Sequence, residues 1–372
     1  MSTIRNDQKF DFNDILIIPK VFTDIKSRYN DVILPYNLPL MTAPMDTVVD
    51  LDNMNEFINE GITVVLPRTV KYDVFSADKV LNKTNENSNI FFSVGFEDID
   101  ISIKTKFKEY YHNAKICIDT ANGHMTRIID YCREIKELRP DIKIMVGNIA
   151  NPETYLWYAK CNCVDYIRVS IGQGNGCLTS KQSSIGYPTA SLIHETYKQK
   201  QEFIKENDIN RKNEYSNLYI KPVDIIPAIV ADGGMKDYSD IIKAMALGAD
   251  YVMVGSIFNK ALESAGNNYL YGIKINPNLA KYFYNKGYPV KKYFRGMSTK
   301  EAQKAMGKTK FRTSEGVIRF RKVEYHLEGW IDNFKHYLRN AMSYTNAKTL
   351  EDFIGNNEIC QITKNAYERF NK

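Results

Sequence analysis

A (β/α)8 TIM barrel, carrying a lid after its eighth strand, is the fold this sequence predicts. Three observations predict it. Eight short apolar runs recur at near-regular intervals, at 38–42, 62–66, 90–94, 115–119, 142–147, 166–170, 225–231 and 251–255. They are rich in Ile, Val, Met and Phe, as strands buried on both faces are. Between most of them lies a segment of helical period, clearest at 128–138 and 238–247, with apolar residues three and four apart. Glycines and chemistry-bearing side chains collect just after the runs, and a barrel builds its site at the C-terminal ends of its strands. A doubly wound open sheet is the rival arrangement of the same alternation.

The chain of 372 residues is 44% apolar and 25% charged, which suits a soluble globular protein. It reads as a single domain over 1–372, with a flap at 293–326 inside it. No apolar run approaches the roughly 18 residues of a membrane span. Residues 1–8 are polar and lack a signal-peptide core. A cytoplasmic protein with no membrane partner is expected. The net charge of +6 is spread along the chain without an aromatic-interleaved basic block, which points to anionic small molecules rather than nucleic acid. Cys117, Cys132, Cys161, Cys163, Cys177 and Cys360 are scattered and form no disulfide framework. Cys161-Asn162-Cys163 is not a zinc spacing.

In chain order, residues 10–19 form an apolar segment closed by Pro19, placed to plug the bottom of the barrel. Strand one ends in Ala43-Pro44-Met45-Asp46-Thr47, strand four in Asp119-Thr120-Ala121-Asn122-Gly123-His124, and strand five in Gly147-Asn148. His124 is placed either to touch a substrate or to face solvent. Strand six leads into Gly172-Gln173-Gly174-Asn175-Gly176-Cys177-Leu178-Thr179-Ser180. Alternating glycines let this backbone turn tightly and aim its amides and carbonyls inward, so it can hold an ion or a phosphate. Cys177 at the apex then meets a carbon electrophile. Taken alone, such a loop is as readily a turn around a buried cysteine.

Strands seven and eight end in Ala231-Asp232-Gly233-Gly234 and Gly255-Ser256. Each puts glycine at a helix start, where free amides and the dipole favour phosphate. Asp232 is placed to accept hydrogen bonds from ribose hydroxyls, so the implied ligand is a ribonucleotide monophosphate. The polar stretch 198–217 reads as an extended helix and a solvated loop without a catalytic role. Tyr293-Phe294-Arg295-Gly296-Met297-Ser298-Thr299 leads through a lysine-rich loop to Phe311-Arg312-Thr313-Ser314-Glu315-Gly316, a lid that excludes water. Residues 327–342 have helical period and close the barrel.

Together these strings resemble the IMP dehydrogenase / GMP reductase family from about residue 9 to residue 347. Those that carry the resemblance are Met45-Asp46-Thr47-Val48, Asp119 to His124, Gly147-Asn148, the Cys177 loop, Gly186-Tyr187-Pro188, Ala231 to Gly234, Gly255-Ser256, Gly296-Met297-Ser298 and Ser314-Glu315-Gly316. The reductase branch is favoured. No CBS module follows strand two, and no Arg-Tyr pair lies between Met297 and Glu315, where the dehydrogenase flap carries one. Residues 311–316 are similar to the reductase's string of aromatic, Arg, two small residues, Glu and Gly. Gln173, Asn175 and Leu178 depart from the family's usual Pro, Ser and Thr. Leu66-Pro67-Arg68 stands where many reductases carry a histidine-rich loop.

The resemblance implies a homotetramer converting GMP to IMP and ammonia with NADPH, or NADH, through a covalent bond between Cys177 and purine C2. It implies Cys177, Thr179 and Glu315 as catalytic. Asn175, Asp232, Gly233, Gly234, Gly255, Ser256, Met297, Ser298 and Arg312 would hold the substrate. Asp119, Asn148 and Arg68 would face the nicotinamide cofactor. Backbone carbonyls of Gly172, Gly174 and Cys177 would hold a monovalent cation such as potassium. An IMP dehydrogenase without CBS modules, and a catalytically silent nucleotide-binding subunit, are the alternative readings.

Overall fold

The computed structural model describes residues 7–70, 89–108, 112–174, 176–212, 224–310, 313 and 316–370. After a short strand β1 (Ile15–Ile17) come β2 (Leu40–Thr42), β3 (Val64–Leu66), β4 (Ile90–Val94), β5 (Lys115–Asp119), β6 (Lys143–Ile149), β7 (Tyr166–Val169), β8 (Ala228–Asp232) and β9 (Tyr251–Val254). β2 to β9 form one parallel sheet of eight strands, in the order β2-β9-β8-β7-β6-β5-β4-β3. The bridge between Met41 and Thr63 closes it into a barrel, and Val65 N–H donates to Thr42 Oγ1 across the seam at 2.8 Å. The seventh run begins as strand only at Ala228, because Pro227 has no N–H to give a ladder.

Helices α1 (Met54–Asn59), α2 (Phe96–Lys104), α3 (Thr126–Leu138), α4 (Glu153–Ala159), α5 (Thr179–Ser183), α6 (Thr189–Lys212) and α7 (Tyr238–Ala246) follow the strands. The polar stretch from 198 continues α6 to Lys212, and 213–217 lies outside the described residues. Two cores result. The larger fills the space between barrel and helices. The smaller lies inside the barrel, around Met41, Val65, Phe91, Cys117, Met145, Val230 and Met253. At the bottom of the barrel, Tyr166 packs edge-on against Phe91 and Tyr251, with ring centroids 5.2 and 5.8 Å apart.

Those aromatic rings take the place expected for residues 10–19. The N-terminal segment lies outside the barrel instead. Phe10 N–H donates to Ser191 Oγ at 2.7 Å, and Lys243 Nζ donates to the carbonyl of Phe12 at 2.8 Å. β1 then pairs antiparallel with Ile359–Gln361. Packing against the exposed faces of α6 and α7 satisfies both the apolar side chains and their backbone, so no plug forms.

After the barrel the chain builds a second, antiparallel sheet from β10 (Asn268–Leu270), β11 (Ile273–Ile275), β12 (Lys291–Arg295) and β13 (Ile318–Lys322), in the order β11-β10-β12-β13. α8 (Pro277–Asn285) packs beneath it around Leu262, Ala280, Val290 and Val323. Asn276 caps α8 by accepting from Leu279 N–H, and proline opens the helix. The sheet thus reaches back to Asn268, upstream of the segment 293–326 marked in the sequence. α9 (Lys300–Ala305) follows β12, and α10 (Leu327–Tyr344) closes the barrel with Trp330, Phe334, Leu338 and Met342 buried.

Candidate active site

β7 delivers the cysteine loop to the C-terminal mouth of the barrel. Gly172 has φ +79°, and a Cβ there would lie 1.8 Å from Ser180 Oγ, so only glycine fits. Ser180 Oγ sits 3.1 Å from the Ile171 carbonyl and 2.7 Å from that of Ile185, stapling both sides of the loop. Cys177 N–H donates to the Gly174 carbonyl at 2.9 Å. The half-buried Cys177 places its Sγ 3.1 Å from Thr179 Oγ1. The thiol and hydroxyl singled out by sequence are therefore in direct contact.

The flap sheet is joined to this loop through backbone. Cys177 bridges to Gly316. Val317 N–H donates to the Gly176 carbonyl at 3.2 Å, and Gly296 N–H to the Val317 carbonyl at 3.0 Å. A Cβ on Gly296 would lie 2.3 Å from the Gly176 carbonyl oxygen, so glycine is what lets the two backbones touch. Arg295 adds an ion pair with Asp46, its Nε 3.2 Å from Oδ1. The end of β2, the cysteine loop and the flap root are thus one assembly. Met297 and Ser298 follow directly, half-buried, and Gln303 Nε2 donates to the Ser298 carbonyl at 3.0 Å. Asn175, Arg312 and Glu315 lie outside the described residues.

Inside the mouth sits a residue that sequence reasoning passed over. Arg168, on β7, is buried at 5% exposure. Its Nη1 lies 2.6 Å from Asp119 Oδ1, and its Nη2 and Nε lie 2.8 and 3.1 Å from Asp232 Oδ2. Asn148 Nδ2 donates to the same Oδ2 at 2.7 Å and to the Ser170 carbonyl at 2.9 Å. Burial works against the charge of Arg168, but Asp232, Cys117 and Asp119 outweigh it and hold the guanidinium well above its ordinary pKa. The signal was present as a lone charge inside an apolar run. Burial, opposed by Arg168 and reinforced by Asp119 and Asp232, pushes the Cys117 thiol up to about 11. That cysteine stays protonated at neutral pH.

The two glycine loops meet the same region. A Cβ on Gly233 would lie 3.2 Å from the Gly174 nitrogen, and one on Gly255 would lie 3.2 Å from Met45 Sδ. Gly234 borders Thr189, at the start of α6. Arg321 Nη1 donates to the Ser256 carbonyl at 3.1 Å. Arg68 stands apart. β3 lies four places from β7 in either direction round the barrel, so Arg68 is across the mouth from Cys177. Its Nη2 is 4.0 Å from Asp98 Oδ2, and its buried Nε has no acceptor among the described residues. His124 is half-buried. Its Nε2 accepts from Ala150 N–H at 3.1 Å, its Nδ1 faces Thr154 Oγ1 at 3.0 Å, and burial lowers its pKa.

Fold and site together define a (β/α)8 barrel whose C-terminal face presents a thiol beside a hydroxyl, joined to a second sheet and next to two glycine loops. The chain belongs to the IMP dehydrogenase / GMP reductase family: the domain of that description matches residues 9–370. It is 25% identical to a GMP reductase of Caenorhabditis elegans over 389 aligned positions, covering 100% of this chain and 96% of that one. A GMP reductase of Onchocerca volvulus is 26% identical, with 100% and 95% covered. One from Streptococcus pyogenes is 26% identical, with 92% of each chain covered. No helix among the described residues is long and apolar enough to cross a membrane.

Proposed function

We propose that this protein is a GMP reductase: GMP, NADPH and two protons give IMP, NADP+ and ammonium. The observation that carries the reading is the Cys177–Thr179 contact at 3.1 Å, held under the flap by the Gly316 bridge. Cys177, as thiolate, forms a bond from Sγ to purine C2, which is electron-poor between two ring nitrogens. The bond from C2 to the exocyclic amine breaks, and ammonia leaves. Thr179 Oγ1 carries the proton to the departing nitrogen, and Glu315 is assigned the role of polarising that hydroxyl. NADPH, when bound, supplies hydride to C2, and the S–C2 bond then breaks to return the cysteine and release IMP.

Asp232 receives all three of its bonds on Oδ2, which leaves Oδ1 for ribose hydroxyls. Amides of Gly233, Gly234, Gly255 and Ser256 take the phosphate. Met297 and Ser298 meet the base edge, and Arg312 and Asn175 are assigned to substrate binding. The buried, unpaired Nε of Arg68 fits an anionic or carboxamide group of the dinucleotide, with Asp119 and Asn148 lining the same mouth. The carbonyls of Gly172, Gly174 and Cys177 are an oxygen-only donor set, which suits potassium rather than a softer metal. Exposed Val21, Phe22, Tyr29, Ile33 and Tyr36 supply apolar surface for a cytoplasmic homotetramer.

The test follows nicotinamide absorbance in potassium buffer in two reactions. Loss of absorbance with GMP and NADPH alone is the expected result. A gain with IMP and NAD+ alone would make the protein a dehydrogenase and overturn the reading. Silence in both would do the same.

A further inference from the structure

The flap sheet carries a feature that the linear sequence hides. Strand register places Lys274 opposite Tyr269, Tyr269 opposite Lys291, and Lys291 opposite Lys322. These four residues, one from each strand, form a single row across the sheet. Three strand spacings give it a span of about 14 Å. Lys274, Lys291 and Lys322 are exposed, and among the described residues none makes an ion pair. Lysines directly opposite one another repel. A folding requirement does not explain Lys291 facing Lys322.

The next row on the same face is aromatic. Tyr293 stands opposite Phe320, with ring centroids 5.7 Å apart, and Phe320 meets Tyr269 edge-on at 5.0 Å. Phe320 is 55% exposed although a large apolar ring on a sheet normally seeks cover. Nearby carboxylates are mostly engaged elsewhere: Asp46 by Arg295 and Glu324 by Lys260. Glu301, on α9, and Asp46 are the acidic groups whose charge reaches Tyr293.

We propose that this face of the β10–β13 sheet is a docking surface for single-stranded nucleic acid. The lysine row tracks a phosphate backbone, and the aromatic row stacks unpaired bases. The charge calls for a polyanion, and the exposed rings call for π-faces that an acidic peptide lacks. A duplex hides its bases from such a flat surface. The surface is distinct from the proposed reaction, and none of Lys274, Lys291, Lys322 or Phe320 belongs to the Cys177 site.

Fluorescence anisotropy with a labelled single-stranded oligouridylate and the full chain tests it. Binding at low salt is expected. The triple variant Lys274→Glu, Lys291→Glu, Lys322→Glu should lower the slope of log affinity against log salt by about 2, at about 0.7 for each phosphate contact. Phe320→Ala should weaken binding roughly tenfold with the slope unchanged. Nicotinamide turnover with GMP, retained in both variants, shows that they are folded. Absence of binding by the parent chain overturns the proposal. So does binding unaffected by the triple variant, or loss of affinity equal for oligouridylate and heparin in Phe320→Ala. A change in sedimentation of the triple variant without nucleic acid would assign the face to a second copy of the chain instead.

Discussion

The two sides of the barrel mouth are built differently. On the β7–β8 side the polar groups are matched to one another: Arg168 spans Asp119 and Asp232, Asn148 ties Asp232 to Ser170, and the cysteine loop is stitched to the flap. On the β3–β4 side, Arg68 Nε and Ser93 Oγ are buried without a partner among the described residues. An unmet buried polar group costs on the order of 1–3 kcal/mol, so a ligand that satisfies it gains that much. Under the proposed function, the matched side holds GMP through Asp232, and the unmet groups of the other side are available to the dinucleotide.

Cys177→Ala should cut turnover by about 10^4-fold or more while GMP still binds, as measured by steady-state rates and calorimetry. Binding lost with turnover would place Cys177 in substrate binding instead. Arg168→Met leaves two carboxylates facing each other in a buried site. It should cost roughly 3–5 kcal/mol in denaturant unfolding. A change within error would mean that Asp119 and Asp232 do not depend on it. On the opposite side, Arg68→Ala should raise the dinucleotide KM roughly tenfold and leave the GMP KM in place. A shift in the GMP KM would end the division of the mouth into two halves.

The smallest expected effect lies outside the mouth. Burial and the nearby Asp237 push the Asp240 carboxyl up to about 6. A raised folded pKa means that the native state holds its proton more tightly than the unfolded chain does. That contribution is complete below the usual 3.8 and is lost as pH rises through about 6. Asp240→Asn keeps an acceptor for Lys236 N–H and should gain on the order of 1 kcal/mol at neutral pH. The gain should vanish in unfolding curves recorded at acid pH. A constant gain would assign it to something other than titration.

The barrel was legible because each strand is a local apolar run, and the reading of 90–94 and 115–119 coincides with β4 and β5. Cys177 and Thr179 were legible because their contact spans two positions of one loop. Arg168 was not, since its partners come from β5 and β8 and only closure of the barrel brings them together. β10 and β11, which join the flap strands in one sheet, were not legible because they are three residues each, below the length at which alternation is visible. The N-terminal segment was misplaced for a related reason: apolar pattern shows that a segment is buried, but not against which surface.

The proposed reaction depends on a bond between Cys177 and the purine. Acid-quenched turnover with GMP and NADPH, followed by mass spectrometry of the Cys177 peptide, measures it directly. A purine-nucleotide adduct on Cys177 that appears with GMP and decays when NADPH delivers hydride to it is the expected result. Measurable turnover with Cys177 unmodified at every quench time would contradict it.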